Sequence, residues 1–212
     1  VLFLDEITEF SKKVLDALRQ PIEDQSVTIS RVKYTNTYPA NFMLVAAMTP
    51  CACGYFGSDR CRCSDYEVLK YRQKISGPIL DRMDIQKYVQ PVNFKELTGQ
   101  VQGKSSAELR ERVQFARNIQ KKRFENVENI NCNAQMTPAL IKKFCELDTD
   151  GEKLLQMAHD RYKYSARTFH KFLKVARTIA DLDGSDRIRK KDIAAALMVR
   201  DMDKEQTGML IM

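Results

Sequence analysis

The sequence predicts an α/β region followed by an all-helical one, and three observations predict it. Short β-type runs at Val1–Leu4, Val27–Val32, Phe42–Ala47 and Ile85–Val89 are confined to the first part of the chain, up to about residue 92. From residue 93 onward the apolar residues recur only at helical spacing. Residue types that start and stop helices also fall where that spacing requires them. The expected organisation is therefore an α/β domain over residues 1–92 and a helical domain over 93–212.

Val1–Leu4 and Phe42–Ala47 are nearly continuous apolar runs. Strands buried on both faces read this way, as in a parallel sheet covered by helices. Val27–Val32 differs: it alternates, carries Arg31, and leads through Lys33 and Tyr34 to polar residues and Tyr38. That is a hairpin pattern. Between them Val14, Leu15, Leu18 and Ile22 share one stripe, which predicts a helix running past Pro21 with a kink. In the second region Leu109, Val113, Ala116 and Ile119 share one helical face, and Leu154, Leu155, Ala158 and Tyr162 share another. Phe169, Phe172, Leu173, Ala176 and Ala180 mark a third helix, and Ile193 with Leu197 a fourth. Thr137-Pro138 should open one helix, Asp183-Gly184 end another, and Ser165 cap a third.

Composition narrows the class. The chain has 212 residues, 43% of them apolar and 30% charged, which is ordinary for a globular protein with a real core. No apolar run approaches the ~20 residues of a membrane span, and Val1–Leu4, followed directly by Asp5 and Glu6, does not read as a signal peptide. Val at position 1 reads as a piece of something longer. A net charge of +7 suits either basic solvated helices or a nucleic-acid surface. Six cysteines without secretory features point to a reducing cytosol, where clustered cysteines more often bind metal than form disulfides.

Four features carry candidate chemistry. Val1–Glu6 is an apolar strand ending in paired carboxylates, at the strand tip where α/β folds bind ligands. Cys51, Cys53, Cys61 and Cys63 form two C-x-C pairs seven residues apart, with Gly54 and Gly57 between. Four thiolates satisfy tetrahedral zinc, although the usual knuckle spacing is C-x-x-C; unliganded thiols and disulfides remain the alternatives. Arg31, Lys33 and Tyr34 combine cations with an aromatic, as nucleic-acid contacts do. Gly99–Ser105 imitates a phosphate loop, but its first glycine position falls on Thr98 and no apolar strand feeds it, so it reads as a loop with Ser105 or Ser106 capping the next helix. Cys132 and Cys145 read as isolated buried thiols. His159 and His170 lie on helices without metal-like partners.

Taken in order, these features resemble the magnesium-chelatase-like AAA+ ATPases, specifically the YifB/ComM branch. The series is Asp5-Glu6, the Val27–Arg31 hairpin, Phe42–Ala47 ending in Met48-Thr49-Pro50, then Ser76-Gly77-Pro78-Ile79-Leu80-Asp81-Arg82-Met83-Asp84, and finally Ser165-Ala166-Arg167. The resemblance covers essentially the whole chain. It implies a partial AAA+ core followed by a helical lid. Asp5 and Glu6 would be the Walker B pair, with Mg²⁺ held by Asp5 through water. Residues from Val27 to about Asn41 would be the pre-sensor-1 hairpin, Thr49 sensor 1, Arg82 an arginine finger and Arg167 the lid's contact to ATP phosphates. At sensor 1 the family usually has Asn; the shorter hydroxyl of Thr49 would need an extra water or act more weakly.

The resemblance further implies ATP and Mg²⁺ as cofactors, a ring oligomer, hexameric in form, and DNA as the partner, with no membrane. The Walker A loop is absent from these residues, so the phosphate-binding half of the site is expected upstream of Val1, and this piece alone is expected to be inactive. Its absence would also leave Phe42–Ala47 and Ile85–Val89 flanking a gap in the sheet. Two rival readings are a chelatase subunit inserting Mg²⁺ into a porphyrin, and a non-catalytic, zinc-stapled module that binds nucleic acid.

Overall fold

The computed structural model describes residues 1–90, 92, 94–99 and 103–200. These divide into two compact units, Val1–Met83 and the residues from Asp84 on. Strands occur first and helices dominate thereafter, in the order the sequence predicts.

Unit 1 begins with β1 (Leu2–Leu4), a single 3-10 turn (Ile7–Glu9), and two short helices, α1 (Lys12–Ala17) and α2 (Arg19–Asp24). The expected kinked helix is thus two helices meeting at Leu18. Proline cannot donate to the carbonyl four residues back, and for Pro21 that carbonyl belongs to Ala17, where α1 ends. Next come β2 (Ser26–Arg31) and β3 (Tyr34–Pro39), an antiparallel hairpin closed by Val32-Lys33, with Arg31 opposite Tyr34. Its hydroxyls pair across the ribbon, Thr28 with Thr37 at 3.0 Å and Ser30 with Thr35 at 3.1 Å. β4 (Leu44–Ala46) then runs parallel to β1, Leu2 opposite Leu44 and Leu4 opposite Ala46. A cysteine loop leads to α3 (Asp65–Arg72), opened by a capping box between Ser64 and Glu67, and to α4 (Gly77–Leu80).

Two strand expectations need correction. Phe3 and Val45 are 58% and 41% exposed rather than buried on both faces, because β1 and β4 form only a two-stranded pair. Ile85–Val89 forms no strand. Gln86 alone forms a β-bridge among the described residues of this run, to Arg200, and donates to the Val199 carbonyl at 2.7 Å, while Ile85 and Val89 are exposed. Among the described residues no strand lies beside this run to complete a ladder.

Unit 2 contains α5 (Phe94–Leu97), α6 (Ser106–Arg123), α7 (Pro138–Phe144), α8 (Thr149–Tyr162), α9 (Ala166–Leu182) and α10 (Lys190–Met198). The caps are those the sequence signals. Ser105 opens α6 in a capping box with Glu108, Thr137 caps α7 and Ser165 caps α9. Asp183 ends α9, followed by Gly184 at φ +66°, where a Cβ would also meet the Phe115 ring at 3.3 Å. Residues 100–102 of the phosphate-loop imitation lie outside the described residues, and Ser105 acts as a cap.

The core of unit 2 gathers on α9: Phe172, Leu173, Ala176 and Ala180 pack with Leu155, Ile188 and Ile193. It also holds a buried polar knot. Asp181, fully buried, accepts from Arg123 at 2.7 Å, from Asn133 at 2.8 Å and from Arg177 at 3.1 Å. Arg177 spends its remaining donors on the carbonyls of Asp186 and Ser185. A buried carboxylate persists only when paired and hydrogen-bonded in this way. Cys145 is buried as expected, but Cys132 is only half-buried.

Candidate functional site

The parallel pairing of β1 and β4 brings two strand ends together. Ala47 donates to the Leu4 carbonyl at 2.9 Å, and Ile7 donates back to the Ala47 carbonyl at 2.9 Å. Asp5-Glu6 and Thr49 therefore leave the sheet at the same end, where ligands of α/β folds bind. Asp5 is exposed, and its Oδ1 accepts from the Glu6 backbone N–H at 3.0 Å. Glu6 itself is left-handed, with φ 49° and ψ 50°. A non-glycine residue pays roughly 1–2 kcal/mol for that conformation, and such strain clusters at functional sites.

Glu6 and Thr49 line one cleft of about 500 Å³, which Glu9, Cys53, Lys70 and Tyr71 help to enclose. Thr49 does not stand alone in it. Its hydroxyl lies 2.6 Å from the Tyr71 hydroxyl, which lies 2.7 Å from the hydroxyl of buried Thr8. Tyr71 is a residue that motif reading passes over. The available signal is its spacing: Val68, Tyr71 and Ile75 recur at helical intervals and all are buried, and a buried phenol requires a hydrogen-bond partner.

The four cysteines come together beside this cleft. Their sulfurs all lie within 4.8 Å of one another, with Cys51 to Cys53 at 3.4 Å, Cys53 to Cys61 at 3.7 Å and Cys51 to Cys61 at 3.9 Å. These are not disulfides. Tetrahedral thiolates at a Zn–S distance of ~2.3 Å would stand ~3.8 Å apart, so the donor set fits a metal ion. The loop's backbone also favours one thiolate: N–H groups of Arg62 and Tyr55 aimed at Cys53 lower its pKa to about 6. The Cys53 backbone N–H lowers the Cys63 pKa. The opposing Cys53 and Cys51 side-chain bonds, burial and the Cys51 charge outweigh it and raise the pKa to about 11. Gly54 and Gly57, at φ +81° and +85°, let the loop fold back on itself. Arg72 of α3 clamps the loop from below, donating to the Pro50 carbonyl at 3.1 Å and stacking on Phe56 at 4.6 Å.

The remaining candidates are not gathered into this cleft. Arg82 turns back onto its own unit, paired with Glu23 of α2 and donating to the Pro78 carbonyl at 2.7 Å, with 12% of its side chain exposed. Arg31, Lys33 and Tyr34 are exposed at the closed end of the hairpin. Arg167 belongs to the other unit, exposed in the first turn of α9 directly after the Ser165 cap.

Comparison with known proteins fits this arrangement. Residues 1–97 match the family model described as magnesium chelatase, subunit ChlI, and residues 103–200 match the model of its C-terminal region. Competence protein ComM of Haemophilus influenzae is 40% identical over 204 residues, spanning 95% of this chain and 39% of its own length. Uncharacterized protein YifB of Escherichia coli is 39% identical over 206 residues, 96% of this chain and 40% of its own. An uncharacterized protein of Mycobacterium tuberculosis is 33% identical over 208 residues, 98% of this chain and 40% of its own. The chain thus spans about two fifths of the length of these relatives. Fold and site define a strand-tip acidic protein of mixed α/β and helical build. Within that class, the chain belongs to the magnesium-chelatase-like family, on its ComM/YifB branch.

Proposed function

We propose that this chain is part of an ATP-hydrolysing AAA+ ring motor that acts on DNA, with its Walker A loop supplied from outside these residues. Residues 1–92 would be the later part of the AAA+ core and 93–212 its helical lid. The observation that carries this reading is the opening of Glu6 and Thr49 onto one cleft, from the ends of two adjacent parallel strands. The ComM relative is a competence protein, which supports a role in competence here, with DNA as the substrate.

Bound ATP and Mg²⁺ supply the phosphoryl group and the cation that neutralises it. Asp5 would hold the cation through water, and its existing bond to the Glu6 N–H fixes the pair as a unit. Glu6 would orient the attacking water and draw off its proton. Arg167 would meet the phosphates from the lid. Arg82 would reach a neighbouring subunit in a hexameric ring, exchanging Glu23 for phosphate oxygen. The exposed Arg31, Lys33 and Tyr34 would contact DNA by charge and stacking. No helix among the described residues is long and apolar enough to cross a membrane, and the reduced cysteines suit the cytoplasm.

The decisive measurement is ATP hydrolysis by the full-length protein with and without DNA. Glu6→Gln should cost at least ~100-fold in rate, the usual contribution of a positioned general base. A DNA-stimulated ATPase indifferent to Glu6→Gln would remove the reading. Two rivals have observations of their own. The family model's name favours a chelatase subunit, for which Mg²⁺ insertion into a porphyrin is the assay. The cysteine cluster favours a non-catalytic nucleic-acid module, whose DNA binding would ignore both ATP and Arg82→Ala.

We assign the cluster of Cys51, Cys53, Cys61 and Cys63 to a structural Zn²⁺ that staples the loop following Thr49. Anaerobically purified protein should carry close to one zinc per chain, and less than ~0.5 would count against the assignment.

A further inference from the structure

We infer that Tyr71 and Thr8 are positioning residues that orient the Thr49 hydroxyl toward the cleft. This rests on the proposed reading of Thr49 as the sensor of an ATPase. Three hydroxyls stand in series, Thr8 to Tyr71 at 2.7 Å and Tyr71 to Thr49 at 2.6 Å. Thr8 and Tyr71 are buried, and Thr49 lines the cleft together with Glu6.

The chain has a direction that proton counting fixes. Tyr71 has one proton, so it donates to only one threonine, and the other must donate to it. If Thr49 donated to Tyr71, its proton would be spent inside the protein and its oxygen would offer only lone pairs to the cleft. If Thr8 donates to Tyr71 and Tyr71 to Thr49, the Thr49 proton is left for the cleft. A phosphate oxygen has no proton to give, so it selects the second direction. Each bond in such a chain also polarises the next, which makes Thr49 a stronger donor than an isolated hydroxyl. An asparagine would need none of this, because its longer side chain carries two N–H donors of its own. The phenol behind Thr49 thus compensates for the short side chain.

The placement of Tyr71 supports the role. Its helix, α3, is tied to the sensor segment by Arg72, which holds the Pro50 carbonyl one residue beyond Thr49. The phenol and the residue it orients therefore move together.

The test is steady-state ATP hydrolysis by the full-length protein carrying Tyr71→Phe, which keeps the ring and removes only the hydroxyl. The expected result is a fall in kcat of up to about 10-fold, the scale of one lost neutral hydrogen bond, with KM for ATP unchanged. Thr8→Val should lower kcat in the same sense but less. In a Thr49→Asn background, Tyr71→Phe should cost nothing further. An equal loss in both backgrounds would mean a merely structural role and overturn the inference. So would Glu6-dependent hydrolysis at an unchanged rate in Tyr71→Phe, which leaves the ATPase reading intact. Absence of any Glu6-dependent hydrolysis in the unaltered protein would overturn both.

Discussion

The two units differ in where they bury apolar surface, although each also leaves some exposed. Unit 2 closes a core with its own helices: Phe172, Ala176, Ala180, Ile188 and Ile193 are essentially inaccessible, and its buried carboxylate is fully matched by donors. Unit 1 buries its helices and its loop anchor, Leu15, Val68, Ile79 and Cys51, yet leaves its strands open, with Phe3 and Val45 exposed. The difference teaches where each unit's stability originates. Helical packing is local enough to complete within one segment, whereas a parallel sheet needs strands from distant parts of a chain. The open unit is also the one that holds the strand-tip acids, the hydroxyl series and the cysteine cluster.

That contrast can be broken at three points. The largest effect should come from Asp181→Ala, which strands the buried Arg177 and the partly buried Arg123 without their acid. Removing one partner of a buried pair costs about 3–5 kcal/mol, so chemical denaturation should show unit 2 losing much of its stability. A smaller effect should appear in both units alike, because both use the same S-x-x-E capping box. Ser64→Ala and Ser105→Ala should each cost about 1 kcal/mol. The backbone N–H and then the hydroxyl of the capping serine hold Glu67 and Glu108 below their ordinary pKa. Their contribution is therefore present above the ordinary glutamate value of ~4.3 and lost as pH falls through the depressed one. NMR titration of the two carboxyls, against amide exchange in the first turns of α3 and α6, checks the sign. The smallest effect should be Phe3→Ala, within about 0.5 kcal/mol in this chain because the ring is already exposed. The same substitution in the full-length protein should cost about 3 kcal/mol if a completed sheet covers it; equal costs would undo the contrast.

What the sequence disclosed follows from the range over which each feature acts. Ser105, Thr137, Ser165 and Gly184 act within a turn of helix, and each stands where its residue type predicted. The apolar stripe of α9 is equally local, and the cysteine spacing alone sufficed to suggest a cluster. The failures lie where partners are remote. Ile85–Val89 has strand composition, but a strand exists only with a neighbour. Arg82 was legible as a cation, whereas its partner Glu23 is 59 positions away. Tyr71 meets Thr8 across 63 positions, and no motif records such a meeting. The break at Leu18 was half-legible, since Pro21 announced an interruption without fixing its place.

The left-handed backbone of Glu6 has a consequence for how such a protein can be improved. A residue held at φ 49° without glycine's freedom is a reserve of stability waiting to be released. Selection for heat resistance alone would be drawn to this position, where Gly or Asn relieves the torsion. The hardier descendants would have given up the very carboxylate the strand tip presents. Thermal hardening and retention of that carboxylate would thus compete at a single codon.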